Sequence, residues 1–146
     1  MQTQVRDLTV GCDTANLQQV RAFVGDTVRE SRLTDREQSL LVLAADEVLT
    51  SIIRHAHRTS VNGMCRVTVD VDDVRVRILV DETGDEVDLA RFSESELARR
   101  VEQTRQDEIG IFLIRAIVDE INYVYRRGFQ NRLELTKFVY SPHSRG

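Results

Sequence analysis

The stretch CRVTVDVDDVRVRILVD, Cys65 to Asp81, decides the fold class. Its residues alternate with period two. In Cys65–Val71 and again in Val74–Asp81, valine or isoleucine falls on one face, and arginine, threonine or aspartate falls mostly on the other. Each segment is therefore a strand with one buried face and one wet face, the habit of an antiparallel sheet covered on a single side. Asp72 and Asp73 between the two halves predict a tight hairpin connection.

Upstream, the period changes. VRDLTV (5–10) alternates and predicts a short strand. Leu17, Val20, Val24 and Val28 recur at helical spacing, with Asp13 or Thr14 as the N-cap. A second helix runs through LTDREQSLLVLAADEVLTSIIRHAHR (33–58). Thr34 and Glu37 form a capping-box pattern, and the middle is apolar nearly all round, so this helix is expected at the centre of the fold. Within it, Glu47, Ser51 and His55 recur every four residues and share one face. A polar stripe on a buried helix is either satisfied internally or lines a cavity. The plainer alternative pairs Glu47 with an arginine and turns the Ser51 hydroxyl back onto the helix backbone. His57, two residues from His55, is off its face, so the two do not make a metal-ligand pair.

Downstream, residues 82–108 lose apolar character and gain charge. A short amphipathic helix is predicted in SESELARRVEQ (93–103). IGIFLIRAIVDEI (109–121) predicts an apolar helix. NYVYRR (122–127) and RLELTKFVY (132–140) predict a final hairpin, with Tyr123 and Tyr125 as sheet packing. Strands and helices do not alternate regularly, which argues against a doubly wound parallel sheet. The expectation is an α+β two-layer sandwich, with helices on one face of a mixed or antiparallel sheet. The length of 146 residues fits one domain covering 1–146.

Composition narrows the function classes. The net charge of −4 argues against a nucleic-acid surface. Cys12 and Cys65 have no ligand-like spacing and read as reduced thiols. There is no apolar leader and no run of membrane-spanning length, so a cytoplasmic protein without membrane attachment is expected.

The element order and the polar stripe together resemble the GHKL ATPase fold, and more closely the small anti-sigma-factor serine kinases of bacterial partner-switching systems. ADEVLTSIIRHAH (45–57) is similar to that family's N-box helix. The resemblance implies that Glu47 is a general base, that Ser51 stands where an asparagine carries Mg²⁺, and that His55 matches the histidine that often follows. ILVDETGDEVD (78–88) resembles the family's adenine-reading box. It implies that Asp81 reads the adenine amino group, with Thr83 and Gly84 beside the ligand. DEIGIFLIRAIVDEINY (107–123) resembles the phosphate-cradling stretch, which implies ligand contacts at Gly110 and Ile111. ATP and Mg²⁺ are the implied ligands. A sigma factor or an anti-sigma antagonist is the implied partner, and a homodimer the implied assembly.

This chain departs from the family's pattern at each box. Ser51 replaces the asparagine, Gly84 stands one residue out of place for one of the box's two glycines, with Thr83, Asp85 and Glu86 in the neighbourhood of both, and Glu108 stands at an earlier glycine position. From Asp81 to Glu108 there are ten carboxylates against four arginines, a net of −6, more negative than the whole chain. Two like charges about 4 Å apart repel by about 4 kcal/mol at an effective dielectric of about 20, so one such contact with a phosphate would weaken affinity several-hundredfold. Three functions follow as expectations: a partner-binding module with weakened or lost Mg-ATP binding; an active serine kinase using Glu47, Ser51 and Asp81; or a pocket for a cation or basic peptide drawn by the acidic segment.

Overall fold

The computed structural model describes residues 3–58, 63–83, 111–125 and 130–139. Strand β1 spans Gln4–Gly11, a 3₁₀ turn Thr14–Asn16, helix α1 Leu17–Val28, helix α2 Asp35–Arg58, strands β2 Met64–Val71 and β3 Arg75–Thr83, helix α3 Ile111–Ile117, and strands β4 Glu120–Tyr125 and β5 Gln130–Phe138. The five strands form one sheet in the order β1-β2-β3-β5-β4, and every neighbouring pair is antiparallel. The expected mixed or antiparallel sheet is thus antiparallel throughout its described strands.

Period two decides which face of the sheet is covered. Cys65, Val67, Val69 and Val71 of β2, Val76, Ile78 and Val80 of β3, and Leu133 and Leu135 of β5 are all buried. They form one core with Val20, Val24 and Val28 of α1, Leu41, Ala44, Ala45, Val48 and Leu49 of α2, and Ile114 of α3. Each strand residue buried in this way contributes about 1.5–3 kcal/mol relative to exposure. The opposite face carries the charges. Arg77 bridges Asp70 at 3.0 Å and Glu134 at 3.4 Å, tying three strands together, and Arg66 reaches Asp7 at 3.0 Å. The hydrogen bond to Asp70 is the main cause that raises the Arg77 pKa, so its guanidinium stays charged.

Local signals worked where the backbone needed a polar partner. Thr34 Oγ1 accepts from Glu37 N, and Glu37 Oε1 accepts from Thr34 N, both at 3.1 Å, closing the capping box at the start of α2. Asp13 caps the 3₁₀ turn rather than α1 itself, accepting from Ala15 N at 2.9 Å. In the β2–β3 hairpin, Asp72 N donates to Arg75 O, while the Asp72 carboxylate accepts from Val74 N and Arg75 N at 2.8 and 2.9 Å. That side chain does the work of a turn backbone.

Two expectations change. The helix predicted over 109–121 ends at Ile117, and Glu120 and Ile121 belong to β4. Asp119 breaks it by joining β5: its amide donates to Thr136 O, and its carboxylate accepts from Phe138 N at 2.7 Å. Helix α2 is amphipathic rather than apolar all round, because Leu43 is 42% exposed. The helix predicted at 93–103, Tyr140 of the last predicted strand and the side chains of Tyr123 and Tyr125 lie outside what is described. No described helix is long and apolar enough to cross a membrane.

Candidate functional site

Helix α2 presents two adjacent carboxylates with different surroundings. Asp46 accepts from both Arg21 Nε and Arg21 Nη2, at 3.1 and 2.9 Å, and so fastens α2 to α1. Glu47 is half-buried, and among the described residues no hydrogen bond or ion pair engages it. The arginine pairing that would have made Glu47 an ordinary structural residue is made by its neighbour instead. A half-buried carboxylate with no protein partner is suited to accept a proton or a ligand N–H. Ser51 and His55 follow one and two turns along the α2 backbone. Their side chains lie outside the described set.

The second part of the site is the end of β3. Asp81 is 4% exposed. Arg132 of β5 grips it bidentately, Nε to Oδ1 at 2.7 Å and Nη2 to Oδ2 at 3.2 Å. This hydrogen bonding to Asp81 raises the Arg132 pKa above its ordinary value, against the smaller lowering effect of burial. Asp81 stands opposite Arg66 on one side and Arg132 on the other. It therefore follows Arg77 and Leu79 on the face away from the helices, whereas Val76, Ile78 and Val80 face the core. Pairing continues without a break through Glu82, opposite Cys65 and Asn131, to Thr83, opposite Gln130.

Helix α3 supplies the third part. It packs on α2 through Ile114, which is fully buried, and begins at Ile111. Gly84 and Gly110 lie outside the described residues, as does the charged segment between them. Helix α2 packs against α3 and against β3, while the register of β3 places Asp81 on the face of the sheet away from the helices. Arg21 and Arg132, which decide which carboxylates remain free, were not foreseen from sequence. Arg132 becomes visible only when β5 is set in register against β3.

Among the described residues no group of three His, Cys, Asp or Glu side chains converges on a point where a metal could bind. Asp46, beside Glu47, is held by Arg21, and the candidate residue Asp81 is held by Arg132.

Comparison with known proteins agrees with the fold. Residues 11–137 match the histidine kinase-like ATPase domain family. Among curated proteins, the chain is similar to the serine-protein kinase RsbW of Staphylococcus aureus strains JH9, Newman and JH1. Each is 21% identical over 102 residues, covering 66% of this chain and 63% of the relative. The chain thus spans somewhat less than two thirds of the length of these curated relatives.

Proposed function

This chain belongs to the histidine kinase-like ATPase domain family, and from that premise we propose that it is a regulatory protein of the anti-sigma-factor serine-kinase type. It acts by holding a protein partner, a sigma factor or an anti-sigma antagonist, and its Mg-ATP binding is weakened or lost. One observation carries this reading. Asp81, the carboxylate that the resemblance assigns to the adenine amino group, is bound bidentately by Arg132 on the face away from the helices. A carboxylate held bidentately by a guanidinium has about half of its roughly four acceptor sites occupied and its charge compensated, so it is a weaker acceptor for a ligand. The replacement of asparagine by Ser51 and the acidic residues at 85, 86 and 108 act in the same direction.

Calorimetric titration with ATP and ADP, with and without Mg²⁺, tests the proposal. No heat at micromolar nucleotide is the expected result, and micromolar Mg²⁺-dependent binding overturns it. Pull-down of purified sigma factors and small phospho-acceptor antagonists then identifies the partner.

A second reading, an active protein serine kinase, is favoured by Glu47. Its half-buried carboxylate is free among the described residues, as a general base must be. In this reading Glu47 takes the proton from a partner serine hydroxyl, and the phosphoryl group passes from ATP to that oxygen. A partner that forms the complex yet gains no label from γ-labelled ATP excludes it. Neither reading involves nucleic acid or a membrane, and both are compatible with a homodimer.

A further inference from the structure

Helix α2 buries one side and leaves another open. Leu41, Ala44, Ala45, Val48 and Leu49 belong to the core. Asp46 is turned to α1, where Arg21 holds it. Arg36, Leu40, Leu43 and Glu47 follow one another at four-, three- and four-residue spacing, so they fall on one stripe of the helix. Arg36 is exposed, Leu40 lies at the margin of the core, Leu43 is 42% exposed and Glu47 is half-buried. At a rise of about 1.5 Å per residue, the stripe is about 16 Å long.

The charges at its two ends set it apart. Elsewhere arginines such as Arg21, Arg32, Arg66 and Arg77 engage carboxylates. Among the described residues no hydrogen bond or ion pair engages either Arg36 or Glu47. A cation in the first turn of a helix opposes the macrodipole, so Arg36 does not stabilise α2 locally. A lone exposed leucine calls for no explanation. Leu43 differs because it stands between an unpaired cation and an unpaired carboxylate on the same stripe.

The geometry points to this stripe as the surface through which α2 receives the protein partner. Its chemistry states what the partner presents: a carboxylate to Arg36, an apolar side chain to Leu40 and Leu43, and an N–H or O–H donor to Glu47, in that order over about 16 Å. It rests on the reading of the chain as a regulator that holds a protein partner. The outer contacts fix the direction of docking. A reversed segment sets its carboxylate against Glu47 and its donor against the donors of Arg36. The central leucines supply apolar burial, which the charges at the rim do not.

The test uses the full chain and the purified sigma factors and phospho-acceptor antagonists of the pull-down, with affinities read by calorimetry at low and high salt. Wild type is compared with Leu43→Gln and Arg36→Glu, and with Arg66→Ala, on the opposite face of the sheet, as control. All three are expected to unfold near the wild-type temperature, because each changes an exposed side chain. Leu43→Gln is expected to weaken the partner about tenfold or more. Arg36→Glu is expected to weaken it about tenfold at low salt and less at high salt, where the charge is screened. Arg66→Ala is expected to bind as wild type does. If Leu43→Gln does not fold, Arg36→Glu and its salt dependence decide. A partner that binds wild type and both stripe variants equally overturns the inference and leaves the proposed function standing. A wild-type chain that binds no member of the panel overturns both.

Discussion

Asp46 and Glu47 are adjacent in sequence and identical in charge, and the structure gives them opposite uses. Arg21 takes Asp46, and Glu47 is left half-buried without a described partner. Glu47→Gln should therefore change stability by less than about 0.5 kcal/mol in urea unfolding, as a substitution that breaks no network does. The partly exposed Asp46–Arg21 pair should cost about 0.2–1 kcal/mol when Asp46 is replaced by alanine. Gly25 is a second residue-scale case. It lies inside α1 with open space where a Cβ would stand. Gly25→Ala should raise stability by about 0.5–1 kcal/mol, seen as a higher unfolding midpoint. Asp81 shows what was legible at this scale. The alternation of valines already put it on the wet face, while the resemblance put it in the pocket. Period two prevailed because it reports the local geometry of the strand. Its partner Arg132 lies 51 residues away in sequence, and no local pattern predicts such a pairing.

Among the elements, α2 is the best specified by its own sequence. Its capping box closes as the Thr34–Glu37 spacing predicts. Glu37 also faces Lys137 of β5 at 3.8 Å, and Lys137 lies 3.6 Å from Asp119. One acidic side chain thus ends a helix and joins it to the sheet. Thr34→Ala should cost about 1 kcal/mol, the usual loss for an N-cap. Glu37→Ala should cost at least as much, because it also leaves Lys137, largely buried, with one fewer carboxylate. Both are measured as shifts of the denaturation midpoint. The end of α3 was less legible. IFLIRAIVDEI keeps apolar residues at helical spacing beyond Ile117, yet the Asp119 carboxylate and amide both bond to β5, and that tertiary pairing overrides the helical pattern.

For the molecule as a whole, the one-sided sheet was readable from alternation, but the strand order was not. Alternation says which face of a strand is buried and nothing about its neighbour. The core is continuous from α1 to β5, and Ile78 lies at its centre, fully buried on the middle strand. Ile78→Ala should cost about 2–5 kcal/mol in equilibrium unfolding, the range for a buried isoleucine with partial collapse of the cavity. Amide exchange should be slowest in β2, β3 and β5 and fastest in the edge strands β1 and β4, since edge ladders open with less loss of buried contact.

The order β1-β2-β3-β5-β4 also bears on biosynthesis. Strand β5 enters the sheet between β3 and β4, which precede it in the chain. As the polypeptide leaves the ribosome, β4 has no place to dock until β5 has emerged, and the inner edge of β3 stays unpaired, with Val76, Ile78 and Val80 uncovered on that side. The sheet therefore closes late. A nascent chain stalled before Gln130 displays an open, apolar β edge, the form of exposed backbone that other chains pair with most readily.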